Sequence, residues 1–253
     1  MIINDLEWIS LRSHFKRTGI FSWDSRKARV ASLLGAKSVP ALTLLFKFPN
    51  ILFLFVFRVL CCIALLAFLG NYFLMGVLCI FISGISIIIS IRGNEGTTGA
   101  DSMAVITIAT AAFCLTSQVP FVWKAGLTFI GCQLALAYAT AGWLRIVQPT
   151  WRSGADLLLV LRQVTYGNKM VWNYLVNRPK MAMVTSMAIL LFECSAPFVL
   201  FMPVYLVIAY LCIGLFFHIS NAIFMGLNTF FWAFGATYLP FLWLSVQINL
   251  IVF

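Results

Sequence analysis

The sequence predicts an all-α fold: a polytopic integral membrane bundle of about seven transmembrane helices plus an interfacial or re-entrant amphipathic helix. Hydrophobic residues make up 62% of the 253 residues, charged residues make up 9%, and the mean hydropathy is +1.01. A soluble domain carries about a quarter charged residues. A transmembrane β-barrel would show short segments of alternating polarity, whereas the apolar runs here are unbroken. Both comparisons favour a helical membrane protein.

The formal net charge of +10 is concentrated in residues 1–49 and 145–180. Both clusters flank apolar segments, where basic residues fix cytoplasmic orientation and meet anionic headgroups. The expected partner is therefore the lipid bilayer and not nucleic acid, and the N-terminus is expected to be cytoplasmic. The seven cysteines lie in or beside apolar segments and there are two histidines, so neither a disulfide framework nor a metal site is expected.

Two regions follow from this pattern. Residues 1–46 are predicted to form a cytoplasmic or interfacial arm, and residues 47–253 a transmembrane domain. The arm mixes aromatic and basic residues, which is typical of a segment that lies on the membrane surface. A short solvated cap over the bundle explains the same composition equally well.

The spans follow one another with short connections. Arg58 lies deep in the first span, where facing lipid would be costly, so it is expected to face the bundle interior. The loop 92–101 has glycines at 93, 96 and 99, but no strand and no GK[ST] motif, which indicates an interhelical turn and not a phosphate cradle. The predicted spans are 50–69, 72–91, 102–119, 125–146, 181–202, 203–218 and 221–239, with Pro240 introducing a last apolar piece.

The chain from 132 to 161 is organised differently from the other spans. An apolar helix meets Arg145 in its last turn, breaks at Pro149 and turns at Gly154. Residues 153–166 then form a predicted amphipathic helix that is too short to span the membrane.

Ionisable groups within spans are candidate functional groups. One interpretation is structural: Arg58 or Arg145 pairs with Glu193 or Asp101, because an unpaired charge at low dielectric is costly. The other is a polar cavity in which His218 transfers protons and an arginine holds an anion, such as a carboxylate or a quinone oxygen. That second interpretation admits a quinone-like cofactor. The full set is Arg58, Asp101, Arg145, Glu193, His218 and Asn221, the last one helical turn beyond the histidine.

Several segments resemble one family in the same order. The chain is similar to the HTTM-domain family, which is related to the transmembrane part of vitamin K-dependent γ-glutamyl carboxylase. The family includes the bacterial membrane component that matures the sporulation-delaying peptide toxin. The resemblance covers about residues 50–240. It rests on FVFRVLCC (55–62), VPFVW (119–123), AGWLRIVQPTWRSGADL (141–157), LLFECSAPF (190–198) and FFHISNAIFMGLNTFFW (216–232).

The resemblance implies a protein of the bacterial inner membrane that helps to modify or mature a peptide or lipid-soluble substrate, together with other membrane or secreted proteins. It implies catalytic roles for His218 and Glu193. Substrate contacts are expected at Arg145, Asn221, Arg58 and Asp101.

One departure from the family limits the chemistry. Where the carboxylase has its base lysine, three residues after the glycine of the turn, this chain has Arg145. Arginine cannot be deprotonated in proteins, so γ-carboxylase and epoxidase activity is not expected. Two other functions stay open: a non-catalytic subunit or scaffold of a membrane complex, and a transporter. The absence of an internal repeat argues against the transporter.

Overall fold

In the computed structural model, helices make up 85% of the protein, and the residues that it describes, 1–93 and 99–252, contain no strand. Seven helices within those residues are long and apolar enough to cross a membrane, with mean hydropathies from 1.3 to 2.6. This confirms the predicted fold class. The chain divides into two compact units, Met1–Trp123 and Lys124–Phe253.

The first unit contains the arm and three of the long helices. The loop that follows Arg92 was predicted to be an interhelical turn, and its residues 94–98 lie outside the described residues. The helices are α1 (Ile2–Ser10), α2 (Trp23–Leu34), α3 (Val39–Phe46), α4 (Asn50–Ala67), α5 (Tyr72–Arg92) and α6 (Gly99–Ser117), with short 3₁₀ turns at Arg12–Phe15 and Ala36–Ser38.

The arm is folded against the first two long helices. Phe15, Trp23 and Phe46 are buried in one cluster with Ile51 and Phe55 of α4, and side chains from the end of α5 pack on the same cluster. The Trp23 indole donates a hydrogen bond of 2.8 Å to Thr43 Oγ1, which satisfies its polar N–H inside this apolar layer. The arm is thus part of the first unit's core.

The second unit contains the remaining long helices and the turn after Arg145. Its first long helix, α7, begins in the last residues of the first unit. The helices are α7 (Pro120–Ile146), α8 (Pro149–Arg152), α9 (Ala155–Arg162), α10 (Lys169–Val176), α11 (Pro179–Val199), α12 (Val204–Met225) and α13 (Asn228–Val252).

The amphipathic helix expected at 153–166 is shorter than predicted. At the predicted turn, Gly154 adopts a left-handed conformation with φ of +84°, which separates α8 from α9. Gln163 leaves the helical conformation, so α9 ends at Arg162, four residues earlier than the apolar pattern suggested. A further helix that the sequence reading missed, α10, then begins where the Asn168 side chain accepts a hydrogen bond of 3.1 Å from the Val171 N–H. Periodicity alone did not show these breaks.

The last two spans differ from their predicted limits. α12 continues past His218 and ends at Gly226, which has a left-handed φ of +69° and closes the helix. Pro240 does not begin a separate piece but lies inside α13. The Thr237 hydroxyl donates a hydrogen bond of 2.6 Å to the Phe234 carbonyl in the turn before the proline. Long apolar helices tolerate such an internal proline.

The surface of the long helices fits a lipid environment. Phe53, Phe113 and Leu239 expose 68%, 73% and 76% of their area, and many other large apolar side chains are exposed with them. Exposed apolar surface on this scale would be an aggregation hazard in water but is the ordinary outer surface of a membrane protein.

Candidate functional site

Three residues of α7 form a stripe that faces the rest of the second unit. Tyr138, Gly142 and Arg145 are spaced at i, i+4 and i+7, which places them on one face of a helix. Tyr138 and Gly142 are buried, while Arg145 at the helix end is half-buried. Arg145 of this stripe forms an ion pair with α11, and Tyr138 belongs to a buried hydrogen-bonded chain.

Gly142 lets α7 approach α11 closely. A β-carbon at this position would lie 2.7 Å from Cys194 Sγ, 2.8 Å from the Cys194 backbone nitrogen and 2.9 Å from Glu193 Cβ. Only glycine fits such a contact without moving the neighbouring backbone, which is the way small residues bring membrane helices together. Arg145, about one turn further along α7, is thereby brought close to Glu193 of α11.

Arg145 and Glu193 form that ion pair. Nη1 of Arg145 donates hydrogen bonds of 2.6 and 2.7 Å to Oε1 and Oε2 of Glu193. The Glu193 side chain is 5% exposed and the Arg145 side chain 35%. The guanidinium also lies 5.0 Å from the centre of the Trp151 ring. Nη1 is thus occupied by an internal carboxylate, which argues against the expected role of Arg145 in holding a substrate anion or a quinone oxygen.

The turn after Arg145 is anchored to α11. The Ser186 hydroxyl donates a hydrogen bond of 2.6 Å to the Trp151 carbonyl. Gly154, at positive φ, lies so close to α11 that a β-carbon there would be 2.6 Å from the Ala182 carbonyl carbon. These contacts hold Trp151 in place over Arg145, so the turn fixes the position of the ion pair.

Next to this pair, the structure shows a hydrogen-bonded chain of three buried side chains. Tyr138 Oη lies 2.7 Å from His218 Nε2 and 2.9 Å from Tyr238 Oη. The residues come from α7, α12 and α13, and they are 3%, 2% and 8% exposed. Gly214 of α12 makes room for the chain, because a β-carbon there would lie 2.5 Å from Tyr238 Oη.

Aromatic rings enclose the chain. The His218 ring stacks on Phe234 with a centroid distance of 4.7 Å, and Phe217 lies 5.2 Å away on another side. Tyr138 contacts Phe192 edge-on at 5.2 Å. Phe192 precedes Glu193 in α11, so the aromatic wall connects the His218 chain to the Arg145 ion pair. The surroundings are therefore apolar, and the polar atoms within them are few.

One of those polar atoms has no partner. His218 Nδ1 is buried and makes no hydrogen bond to any residue that the structure describes. Depending on the tautomer, Nδ1 either carries the ring proton or presents its lone pair. Nε2 contacts Tyr138, and Tyr138 in turn contacts Tyr238. Nδ1 is therefore the open end of this hydrogen-bonded chain.

Arg58 pairs with a residue that the sequence reading did not consider. Its Nε donates a hydrogen bond of 2.9 Å to Oδ2 of Asp5, its Nη2 donates to Oδ1, and its Nη1 donates at 2.9 Å to Ser86 Oγ. Asp5 is in α1 of the arm, and both charged side chains are buried. The expected partners of Arg58, Glu193 or Asp101, are thus incorrect, because the counter-ion comes from outside the spans.

The six candidate residues are divided between the two units. Arg58 and Asp101 belong to the first unit, where Asp101 lies in the first turn of α6. Asn221 is half-buried one turn beyond His218, and its side chain makes no hydrogen bond to His218 in the described chain. Within the second unit, Arg145, Glu193 and His218 lie around the same aromatic wall.

The sequence reading missed Tyr138 and Tyr238. An un-ionised tyrosine does not stand out in an apolar helix, so a search for charged groups passes over it. A signal existed for Tyr138, because it shares the helical face of Gly142 and Arg145. Tyr238 had no comparable signal, since its relation to His218 depends on how α12 and α13 pack.

Comparisons with known protein families, with curated proteins and with solved structures give no match to this chain.

Proposed function

We propose that this chain is an HTTM-like membrane protein that takes part in modifying or maturing a peptide or lipid-soluble substrate, with His218 as its proton-transfer group. The observation that carries the proposal is the open end of the buried chain, His218 Nδ1. A buried polar atom without a partner costs about 1–3 kcal/mol. Such exceptions call for an explanation, and a catalytic role is one.

The apolar surroundings of His218 support a lipid-soluble substrate or a hydrophobic peptide. Phe217, Phe230 and Phe234 all contact the imidazole ring. A substrate that reaches Nδ1 would have to pass such side chains, which favours an apolar body with one acidic or basic atom. An imidazole can accept a proton at one ring nitrogen and give one up at the other.

The Arg145–Glu193 pair supports a positioning role and not a catalytic one for these two residues. Both carboxylate oxygens of Glu193 accept hydrogen bonds from Arg145 Nη1. Arg145 stands where the resembling family has its base lysine, so base chemistry falls to His218. In this proposal, Arg145 and Glu193 hold α7 against α11 and thereby set the position of Tyr138.

The proposal places the protein in a bacterial inner membrane with a cytoplasmic N-terminus. The support is the distribution of charge: basic residues are concentrated in 1–49 and 145–180, which four intervening spans would put on the same side. Other membrane or secreted proteins would deliver the substrate.

A second candidate function is a non-catalytic subunit of a membrane complex. The observation that favours it is that two arginines of the spans, Arg58 and Arg145, are paired with internal carboxylates. Such pairs can serve to fix helix packing alone.

The experiment that separates the two candidates uses cells that lack the protein. Peptides and lipid-soluble compounds are compared by mass spectrometry between these cells, cells with the wild-type protein and cells with His218→Gln. Glutamine can keep the hydrogen bond to Tyr138 but cannot take up a proton. Tyr210→Phe is the matched control, because Tyr210 lies in the same helix and the same aromatic wall and its hydroxyl bonds to the Phe192 carbonyl and not to His218.

The proposal predicts that His218→Gln reaches the membrane at the wild-type level and gives the profile of the cells without protein, while Tyr210→Phe gives the wild-type profile. A wild-type profile with His218→Gln would contradict it and favour the non-catalytic subunit.

A further inference from the structure

Arg58 lies halfway along a helix that is itself just long enough to cross the membrane. α4 has 18 residues. At 1.5 Å per residue it is about 27 Å long, close to the ~30 Å of the hydrocarbon layer. Arg58 stands midway between its two ends. Its partner Asp5 must therefore reach a level well inside the hydrocarbon layer, even though α1 is not a spanning helix.

Contacts along the arm show that α1 points inward. Phe15, after α1, contacts Phe55 of α4 at a ring-centroid distance of 5.7 Å. Asp5, within α1, bonds to Arg58, which is nearly one turn deeper than Phe55. The Met1 sulphur, before α1, lies 3.9 Å from Ser86 Oγ, the group that also accepts from Arg58. The start of α1 is thus the deepest part of the arm.

The outer face of α1 changes character along this direction. Ile3, Leu6, Glu7 and Ser10 are all exposed, and their spacing of i, i+3, i+4 and i+7 puts them on a single face. The deeper half of this face is apolar, with Ile3 and Leu6 exposed by 45% and 53%. The half nearer the rest of the arm is charged or polar, with Glu7 and Ser10. Asp5 points the other way and is fully buried.

We infer that α1 enters the hydrocarbon layer beside α4 as a half-length helix, with Ile3 and Leu6 against lipid acyl chains and with Glu7 and Ser10 on the side nearer the headgroups. α1 has 9 residues, a length of about 13.5 Å, which matches half of the hydrocarbon thickness.

The ion pair makes this insertion possible. A lone carboxylate at that depth would be very costly, but both oxygens of Asp5 accept hydrogen bonds from Arg58. In return, α1 covers Arg58, whose side chain is only 9% exposed although it lies halfway along a spanning helix. Each residue therefore lowers the free-energy cost of placing the other in the hydrocarbon layer. The inference is independent of the function proposed for His218.

The test places a photoreactive benzoylphenylalanine at single positions of the full chain in native membranes and identifies the cross-linked products by mass spectrometry. The test positions are Ile3 and Leu6. The lipid-facing control is Leu60 of α4, which is 56% exposed, and the aqueous control is Lys27 of α2, which is exposed. This design leaves the native cysteines in place. Gel filtration in mild detergent shows that each labelled protein is folded.

Acyl-chain adducts from positions 3 and 6, in a yield comparable with position 60 and well above position 27, would support the inference. Two other results would overturn it. Adducts of positions 3 and 6 with a second protein chain would show that this face binds a protein. Lipid adducts no more abundant than at position 27 would place α1 in water. An Asp5→Ala protein that elutes as folded should lose the adduct at position 3, since α1 would no longer be held beside Arg58.

Discussion

Arg145 Nη1 lies 2.6 and 2.7 Å from the two carboxylate oxygens of Glu193, yet the two side chains differ in their access to solvent, with 35% and 5% exposed. Removing one partner of a buried pair leaves the other charge without compensation. The consequence depends on which charge is left behind. The Glu193 side chain is buried, whereas the longer Arg145 side chain at the end of α7 is partly exposed and can reach solvent.

Arg145→Ala should therefore destabilise the protein more than Glu193→Gln. We expect a loss of about 3 kcal/mol in the free energy of unfolding for Arg145→Ala, the lower end for a broken buried pair. Glu193→Gln keeps an acceptor for Arg145, so about 1 kcal/mol is expected. The measurement is denaturation in mixed micelles followed by circular dichroism. The reverse order would show that the carboxylate of Glu193 is neutral or solvated in the folded protein.

Gly142→Ala should weaken the contact of α7 with α11. Its β-carbon would meet the backbone and side chain of Cys194 at 2.7–2.8 Å, so the helices must separate. We expect a loss of about 1–3 kcal/mol, as for other overpacked positions. Gly84→Ala is the control, because nothing lies within 4 Å of a β-carbon there and alanine favours the helix by about 0.5–1 kcal/mol. Equal effects of the two changes would contradict the close contact.

Asp5→Ala should destabilise the first unit strongly, because the buried Arg58 would lose both carboxylate hydrogen bonds. A loss of about 3–5 kcal/mol is expected. Replacing both residues, as Asp5→Leu with Arg58→Met, should restore most of that stability, because no charge is then left unpaired.

The control for this prediction is Asp24→Ala. The hydrogen bond from Lys27 lowers the pKa of Asp24, so the change removes a charge that is present at neutral pH. Asp24 and Lys27 are both about half exposed, so no measurable loss is expected. If Asp24→Ala lowered the free energy of unfolding as much as Asp5→Ala, the burial of the Asp5–Arg58 pair would not explain the loss of stability.

Tyr138→Phe should affect the buried chain more than Tyr238→Phe. Tyr138 is bonded to both of its neighbours, so its loss leaves His218 Nε2 as well as Nδ1 without a partner. We expect about 1–3 kcal/mol for Tyr138→Phe and about 0.5–1.5 kcal/mol for Tyr238→Phe. Unfolding in micelles checks the order. Equal small effects would mean that His218 finds another partner, such as water.

Composition and the length of apolar runs were enough to predict the fold class, because a spanning helix needs an apolar segment of fixed length whatever its neighbours are. They also led to Arg145 and Glu193, since opposite charges in spans must compensate each other. Asp5 could not be predicted as the partner of Arg58, because hydropathy does not show which helix outside the spans packs on Arg58. The turn at Gly154 could be predicted from the glycine, but the end of α9 at Arg162 could not, because the apolar pattern continues past that residue.

The most direct test of the proposed function is the comparison of His218→Gln with Tyr210→Phe in cells that lack the wild-type protein, with the peptide or lipid-soluble product quantified by mass spectrometry at equal amounts of protein in the membrane. If His218 transfers the proton, the product should fall by about 10²-fold or more with His218→Gln and stay at the wild-type level with Tyr210→Phe. A wild-type level of product with His218→Gln would contradict the proposal.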